Sequence, residues 1–206
     1  MRIIVGISGA TGAIYGVRIV EELYRLGMET HLIISDVGRK TIELETGYTV
    51  SQVEKMAAEV HNICNLAASV SSGSFQTEGM IIAPCSIKSL SAIANSYNAN
   101  LLIRAADVQL KERRKLVLVV RETPLHGGHL RLMTMATETG AILLPPMPAF
   151  YHHPQTLDDL INQTVGKVLD QFQIEHNLFK RWRGIPNDTL LRYISILRLD
   201  KLLHIL

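Results

Sequence analysis

Ser8-Gly9-Ala10-Thr11-Gly12-Ala13, with Gly16 soon after, is the segment of this chain best suited to hold a charged ligand. It follows an apolar run from Met1 to Ile7 that reads as a buried strand, and from Gly12-Ala13 onward it reads as the start of a helix. A glycine-rich turn between strand and helix presents bare backbone N–H groups and the positive end of a helix, which suits a phosphate. Thr11 adds a hydroxyl donor at the same place. The plain alternative is that the glycines only let the helix pack close to its strand. The spacing is not G-x-G-x-x-G, so the dinucleotide fingerprint is not met.

Four further segments carry side chains that could do chemistry. Arg121-Glu122 ends the apolar run Leu116–Val120; an arginine there suits a bidentate phosphate contact. Glu122 reads either as a general acid/base or as the salt-bridge partner of a neighbouring base. Pro84-Cys85-Ser86-Ile87-Lys88-Ser89 joins a buried strand to a helix, and Ser86 and Ser89 could donate to a ligand or cap that helix. Cys85 has no histidine nearby in sequence and reads as a packing cysteine. The segment Pro145–Pro154 holds four prolines and delivers Met147, Phe150 and Tyr151 to one place, a lining for a flat ring or an apolar chain with the Tyr151 hydroxyl as polar handle. Its plain alternative is a rigid loop covered by a partner subunit. Ser71-Ser72-Gly73-Ser74 reads as a polar turn or a second cradle. His126, His129, His152 and His153 lack an acidic or cysteine partner in sequence, which argues against a metal site built on them.

The elements that must position these loops follow from periodicity. Met1–Ile7, Thr30–Ile34, Gly79–Ala83, Leu116–Val120 and Ala141–Leu144 read as strands, the third stopped by Pro84 and the last by Pro145-Pro146. Ile14–Leu26, Leu130–Thr139 and Leu157–Phe172 show helical spacing, the first two halted by Gly27 and Gly140. Short helices are expected from Thr41 and over Val53–Val60, and Lys111–Lys115 reads as a solvated helix end. Strands without a polar face, alternating with helices, predict an α/β fold: a single doubly wound, mainly parallel sheet with helices on both faces. Ligands in such sheets bind beyond the carboxyl ends of the strands. That rule selects Gly9–Ala13, Ser35-Asp36, Pro84–Ser89, Arg121–Pro124 and Pro145–Tyr151.

Bulk properties exclude other classes. The chain of 206 residues is 47% hydrophobic and 19% charged, which describes a folded domain with a sizeable core. A net charge of +2 and 5% aromatic residues argue against nucleic acid and against an anionic membrane surface. Cys64 and Cys85, the only cysteines, carry no spacing motif and fit a reducing cytosol. The opening strand leaves no room for a signal peptide, and no uncharged apolar stretch reaches the roughly 20 residues a membrane helix needs. A cytoplasmic location is therefore expected.

The joint pattern of Gly9-Ala10-Thr11-Gly12-Ala13, Glu43-Leu44-Glu45-Thr46, Ser72-Gly73-Ser74, Pro84-Cys85-Ser86, Arg104-Ala105-Ala106-Asp107-Val108, Leu110-Lys111-Glu112-Arg113, Arg121-Glu122-Thr123-Pro124 and Pro146–Tyr151 resembles the UbiX/Pad-type flavin prenyltransferases, formerly called phenylacrylic acid decarboxylases. The resemblance runs from Ile3 to about Gly184, so residues 1–184 are expected to form one FMN-binding domain of Rossmann-like (flavodoxin-like) fold. Residues 185–206, with Leu190, Leu191, Ile194, Leu197, Leu202 and Leu203, have no counterpart and suggest a helical extension packed on a neighbour.

The resemblance implies a metal-independent transferase. It attaches the dimethylallyl group of dimethylallyl monophosphate to N5 and C6 of reduced FMN, and the prenylated FMN serves partner decarboxylases of the UbiD type. It implies a homododecamer with sites at subunit junctions. Gly9, Ala10, Thr11, Ser35, Ser86, Ile87, Lys88, Ser89, Arg104 and Arg121 would hold FMN. Lys111, Arg121, Tyr151 and Lys167 would surround the prenyl phosphate. Thr11, Glu45, Lys111, Glu122 and Tyr151 would act in the chemistry. Ionising an allylic phosphate needs positive charge on the leaving group; the sequence shows no Asp/Glu cluster for Mg²⁺, so lysine and arginine must supply it. Two positions depart from the family. Lys167 stands where arginine is usual, keeping the charge and losing the bidentate fork. His129-Leu130-Arg131-Leu132-Met133 replaces the usual His-Leu-Glu-Asn-Met and alters what that helix offers to its neighbours.

Three other readings stay open at the level of sequence. One is an FMN-dependent cysteine-decarboxylase-like flavoprotein. A second is an NAD-dependent enzyme, with Asp36 at the end of the second strand as the ribose-binding acid. A third is a non-catalytic flavin-binding subunit of an aromatic acid decarboxylase.

Overall fold

A computed structural model describes residues 1–184, so the expected extension 185–206 lies outside the described residues. Among them, six parallel strands form one sheet: β1 (Arg2–Ile7), β2 (Glu29–Ile34), β3 (Glu59–His61), β4 (Gly79–Cys85), β5 (Lys115–Val120) and β6 (Ile142–Leu143), in the spatial order β3-β2-β1-β4-β5-β6. The helices are α1 (Ala13–Arg25), α2 (Asp36–Glu45), α3 (Val50–Glu54), α4 (Ile87–Ala94), α5 (Leu101–Lys111), α6 (Gly127–Glu138) and α7 (Leu157–Gln171). This is the doubly wound α/β fold that the alternation of apolar runs predicts.

Side chains alternate across the sheet and build two cores, because successive residues of a strand point to opposite faces. Ile3, Val5, Ile7, Leu32, Ile34, Val117 and Val119 join Val17, Val20 and Leu23 of α1 and Val165, Val168 and Leu169 of α7. Ile4, Ile33, Met80, Ile82, Leu116 and Leu118 join Leu90 of α4, Leu102 and Ala106 of α5 and Ala136 of α6. Both faces being covered explains why these strands carry no polar face. Gly16 allows α1 to lie close to the sheet: a Cβ there would stand 2.1 Å from the Ala83 carbonyl oxygen.

The structure corrects several boundaries. The helix expected over Val53–Val60 is two elements. α3 starts at a capping box between Thr49 and Gln52 and ends at Glu54, and Glu59–His61 then pairs with β2 as an edge strand. β4 is not stopped by Pro84. It runs through to Cys85 with an irregular register between Ile82 and Cys85, since proline has no N–H to give the ladder. α2 begins at Asp36, not near Thr41, because the Ser35 side chain caps it. α6 begins at Gly127, capped by His126. The charge run Lys111–Lys115 does close a helix, with Lys111 its last residue and Arg113 in the left-handed region at φ 57°.

Candidate active site

Chain order reverses between β1 and β4, and the crevice beyond their carboxyl ends is where an open α/β sheet binds ligands. Ser8, nearly buried, ties the two strands together there. Its Oγ donates to the Pro84 carbonyl at 2.7 Å and accepts from the Ser86 amide at 2.8 Å. A cavity of about 700 Å³ opens at this point, walled among others by Gly9, Ser35, Asp36, Ser86, Lys88 and Ser89. That volume suits a small cofactor. Two helix N-termini face it. Ser35 caps α2 by accepting from the Gly38 amide (3.0 Å), which leaves its hydroxyl proton free to donate. Ser86 caps α4 by accepting from the Ser89 amide (3.2 Å) and donates to the Ser89 hydroxyl (3.2 Å), which can pass its own proton to a ligand. The capping and ligand-binding readings of these serines are thus compatible. Gly9 has no room for a side chain, since a Cβ would lie 2.5 Å from Val37. Two helix N-termini with Lys88 favour a phosphate. Val37, Ile63, Ala92 and Ile103 give the same cavity apolar walls for a ring. The residues present therefore fit a phosphorylated ring compound of the FMN kind.

Beside this cradle, Glu45 reaches back from the end of α2 to the start of α1. Gly12, at φ 93°, has no side chain to cap α1, and the Glu45 carboxylate does so instead, accepting from the amides of Gly12 (2.7 Å) and Ala13 (3.3 Å). Partial burial pushes the Glu45 carboxyl up. Hydrogen bonds from Thr11 and those two amides, with the Arg121 charge, outweigh it and hold the group below its ordinary value. Thr11 and Arg121 thus both act on the Glu45 carboxylate. The Arg121 amide is anchored on the Cys85 carbonyl at 3.1 Å, which fixes the start of its loop beside Ser86. Burial pushes the Tyr15 phenol up, opposed by its hydrogen bond with Thr164 of α7 and by Arg121. Glu122 is exposed and accepts from the Thr123 amide at 3.1 Å.

A second cluster lies on α7 and the segment after it. Lys167 Nζ stands 3.7 Å from Asp170, and Asp170 grips Arg181 bidentately at 2.6 and 3.0 Å and meets His176 Nε2 at 3.2 Å. Burial raises the Asp170 carboxyl, but Arg181 and His176 win and hold it below its ordinary value. Next to Arg181, Trp182 meets the Tyr151 ring edge to face, 6.0 Å between centroids. Tyr151 and Lys167, both expected near a prenyl phosphate, thus belong to one region. Arg181 and Trp182 were missed in the sequence; no periodicity marks them, and only the Asp170 clamp brings them in.

The first 163 residues match the model of the Flavoprotein family. A flavin prenyltransferase, UbiX, from Thauera aromatica is 66% identical over 184 residues, covering 89% of this chain and 95% of that protein. The chain belongs to the flavin prenyltransferase family. Among solved structures, AnUbiX (PadA1) in complex with FMN and dimethylallyl pyrophosphate superposes with a TM-score of 0.88 at 50% identity, covering 90% of this chain and 98% of that one. A dodecameric FMN-dependent UbiX-like protein from Escherichia coli O157:H7 gives 0.87 at 50% identity, covering 89% and 100%. These matches favour a flavin over the dinucleotide that Asp36 left open; Asp36 itself opens α2 beside the cradle.

Not every residue expected to serve a flavin prenyltransferase site is gathered in one chain. Lys111 closes α5 just before β5 begins, so it lies toward the amino edge of the sheet, opposite the cradle. It pairs with Glu112 and sits against Gly73, where a Cβ would meet its Nζ at 2.7 Å. Arg104 is engaged by Asp107 (2.9 Å) and the Ser71 carbonyl (3.2 Å), and it steadies the Ser71–Ser74 turn instead of walling the cavity. Burial pushes the Cys85 thiol up to about 12, which agrees with a packing role. Ile87 and Lys88 open α4, and Lys88 walls the cavity. No helix among the described residues is long and apolar enough to cross a membrane.

Proposed function

We propose that this chain transfers a dimethylallyl group from dimethylallyl monophosphate to N5 and C6 of reduced FMN. The observation that carries this reading is the paired N-termini of α2 and α4 around one cavity, with the Glu45 carboxylate, on which Thr11 and Arg121 act, at its rim. Ser35, Ser86, Ile87, Lys88, Ser89 and the amides of Gly9 and Ala10 would hold the flavin phosphate, with Arg121 alongside and Arg104 bracing the adjoining turn. Bound reduced FMN supplies the electron-rich ring that accepts the allyl group.

The chain's own groups handle charge and protons. Lys167 and Arg181 offset the negative charge that grows on the departing phosphate, so no metal is needed for it. Tyr151 donates its hydroxyl to that phosphate, and Trp182 beside it walls the apolar prenyl tail. Glu45, held ionised by Thr11 and two amides, is ready to accept a proton released from the flavin edge. Glu122 is exposed at the same rim and pairs with incoming cations. Lys111 joins from a neighbouring copy. This is supported by its place at the far edge of its own sheet and by the dodecameric assembly of the Escherichia coli relative. The assembly is a homododecamer, the product passes to a UbiD-type decarboxylase, and the reaction belongs to the cytoplasm, in keeping with two unpaired cysteines.

Incubation with reduced FMN and dimethylallyl monophosphate, followed by mass spectrometry of the flavin, tests the reading. A flavin heavier by one prenyl group is expected. Bound FMN with no added mass would sink the transferase and leave a flavin-binding subunit. Because the AnUbiX complex holds dimethylallyl pyrophosphate, the diphosphate is run in parallel, and slower transfer from it is expected.

A further inference from the structure

His31, Glu59 and His61 meet at the outer edge of the sheet, on side chains to which the flavin reading gives no task. The parallel register of β2 and β3 sets His31 opposite Glu59 and Ile33 opposite His61. The period of two along each strand then puts both histidines and Glu59 on one face. Both imidazoles are buried, at 4% and 5% exposure, while the Glu59 side chain is half exposed. His31 Nδ1 lies 2.9 Å from His61 Nε2 and 3.4 Å from Glu59 Oε2.

We infer that these three residues bind a divalent transition-metal ion of the zinc or cobalt type, fastening the edge strand β3 to β2. Metal–nitrogen bonds are about 2.0–2.1 Å, so two nitrogens 2.9 Å apart subtend about 90° at a shared ion, an angle open coordination shells accept. Two imidazoles and one carboxylate are a common donor set for such ions, and the exposed Glu59 side leaves water a way in. The outer shell is also built. The far nitrogen of His31, Nε2, hydrogen-bonds Glu29 at 3.1 Å, and Glu29 is held by Arg2 at 2.8 Å. Metal-bound histidines characteristically anchor their second nitrogen on a carboxylate in this way. Phe75 packs at a steep angle to the His31 ring, 4.8 Å between centroids, and the Arg2 guanidinium lies 4.7 Å over the Phe75 ring. This metal site does not depend on flavin chemistry.

Chelator-stripped full-length protein is titrated with Co²⁺, followed by visible absorption, and with Zn²⁺, followed by calorimetry. One equivalent per chain at micromolar or tighter affinity is expected, weakened about tenfold or more in both Glu59→Gln and His61→Gln. A double variant His126→Gln/His129→Gln, removing the histidine pair at the start of α6, is expected to bind as the parent does. Zinc is expected to raise the melting temperature of the parent and not of Glu59→Gln. The inference is overturned if the parent binds neither ion, if Glu59→Gln binds as tightly as the parent, or if binding disappears with the α6 pair. Should His61→Gln fail to fold, Glu59→Gln, altered at a half-exposed edge position, is sufficient by itself to support or overturn the site.

Discussion

Glu45 does two things that substitution can separate. Its carboxylate caps α1 through two amides at 2.7 and 3.3 Å, and it is the base proposed for the rim of the flavin cradle. Glu45→Ala removes both roles. Loss of an N-cap costs about 1 kcal/mol, and loss of a carboxylate at a helix N-terminus adds roughly 0.3–1 kcal/mol. Glu45 is exposed, so solvent screening favours the lower end of the second figure. A total of about 1–1.5 kcal/mol corresponds to a fall in melting temperature of roughly 2–6 °C for a domain of this size. Glu45→Gln keeps an oxygen acceptor and is expected to lose only the charge contribution, under about 1 kcal/mol. Transfer should collapse in both variants, by about 100-fold or more if Glu45 is the base. The pH dependence has a definite sign. The folded carboxyl sits below its unfolded value, so the charge contribution is complete above the unfolded value near 4.5 and fades as pH drops through the folded one. The melting gap between parent and Glu45→Gln should therefore be flat from about pH 8 to about 5.5 and close at lower pH. Calorimetric melts across that range, with single-turnover transfer near neutral pH, supply the data. Full transfer activity in Glu45→Gln would refute the assignment as base. A gap that widens on acidification would refute the electrostatic account of the cap.

Other expectations follow from the same geometry. Gly9→Ala sets a Cβ 2.5 Å from both Cβ and Cγ1 of Val37 and should weaken FMN binding about tenfold or more by fluorescence titration; Val37→Gly in the same chain, which removes both atoms, should restore much of it, and no rescue would mean Gly9 matters for another reason. Lys167→Arg restores a bidentate fork and should lower KM for the prenyl phosphate several-fold, leaving FMN affinity unchanged. Tyr151→Phe and Lys111→Ala should slow transfer far more than they weaken FMN binding, and equal losses would put both residues in the flavin site. Mixed oligomers of those two inactive variants should regain activity if Lys111 acts across a subunit boundary; persistent inactivity would argue for action within one chain.

Apolar runs were enough to read β1, β2, β4 and β5, since strands covered on both faces need no polar residue. The edge strand β3 was not legible. It is three residues long and exists by pairing with β2, while Val53–Val60 as a string looks helical. The loops of the site were legible by rule, because ligands gather at the carboxyl ends of such strands, and Ser35 and Ser86 stand where that rule puts them. What each side chain does there was less legible. Nothing local in the sequence says that Glu45 caps a helix 32 residues before it, or that Asp170 clamps Arg181 and so brings Trp182 to Tyr151. The His31–Glu59–His61 group escaped notice for the same reason. Its members are scattered along the chain, and the register of two parallel strands alone unites them.

The charges near the prenyl cluster bear on why the site should need a second subunit. A phosphate monoester carries about −1.5 to −2 at neutral pH. Lys167 and Arg181 offer two positive charges, but Asp170 cancels one, through the bidentate pair and the 3.7 Å contact to Lys167. Arg121, the other cation expected there, also acts on the Glu45 carboxylate. In the proposed arrangement, one chain is therefore about one charge short at the leaving group. Lys111 is the remaining expected cation. In the single chain it is engaged by Glu112 at the opposite edge of the sheet. An exposed pair of adjacent side chains is worth little, so an incoming phosphate from a neighbouring copy can displace Glu112 from the ammonium group. On that proposal assembly supplies the missing charge, and transfer by dissociated subunits should fall even where their FMN binding persists.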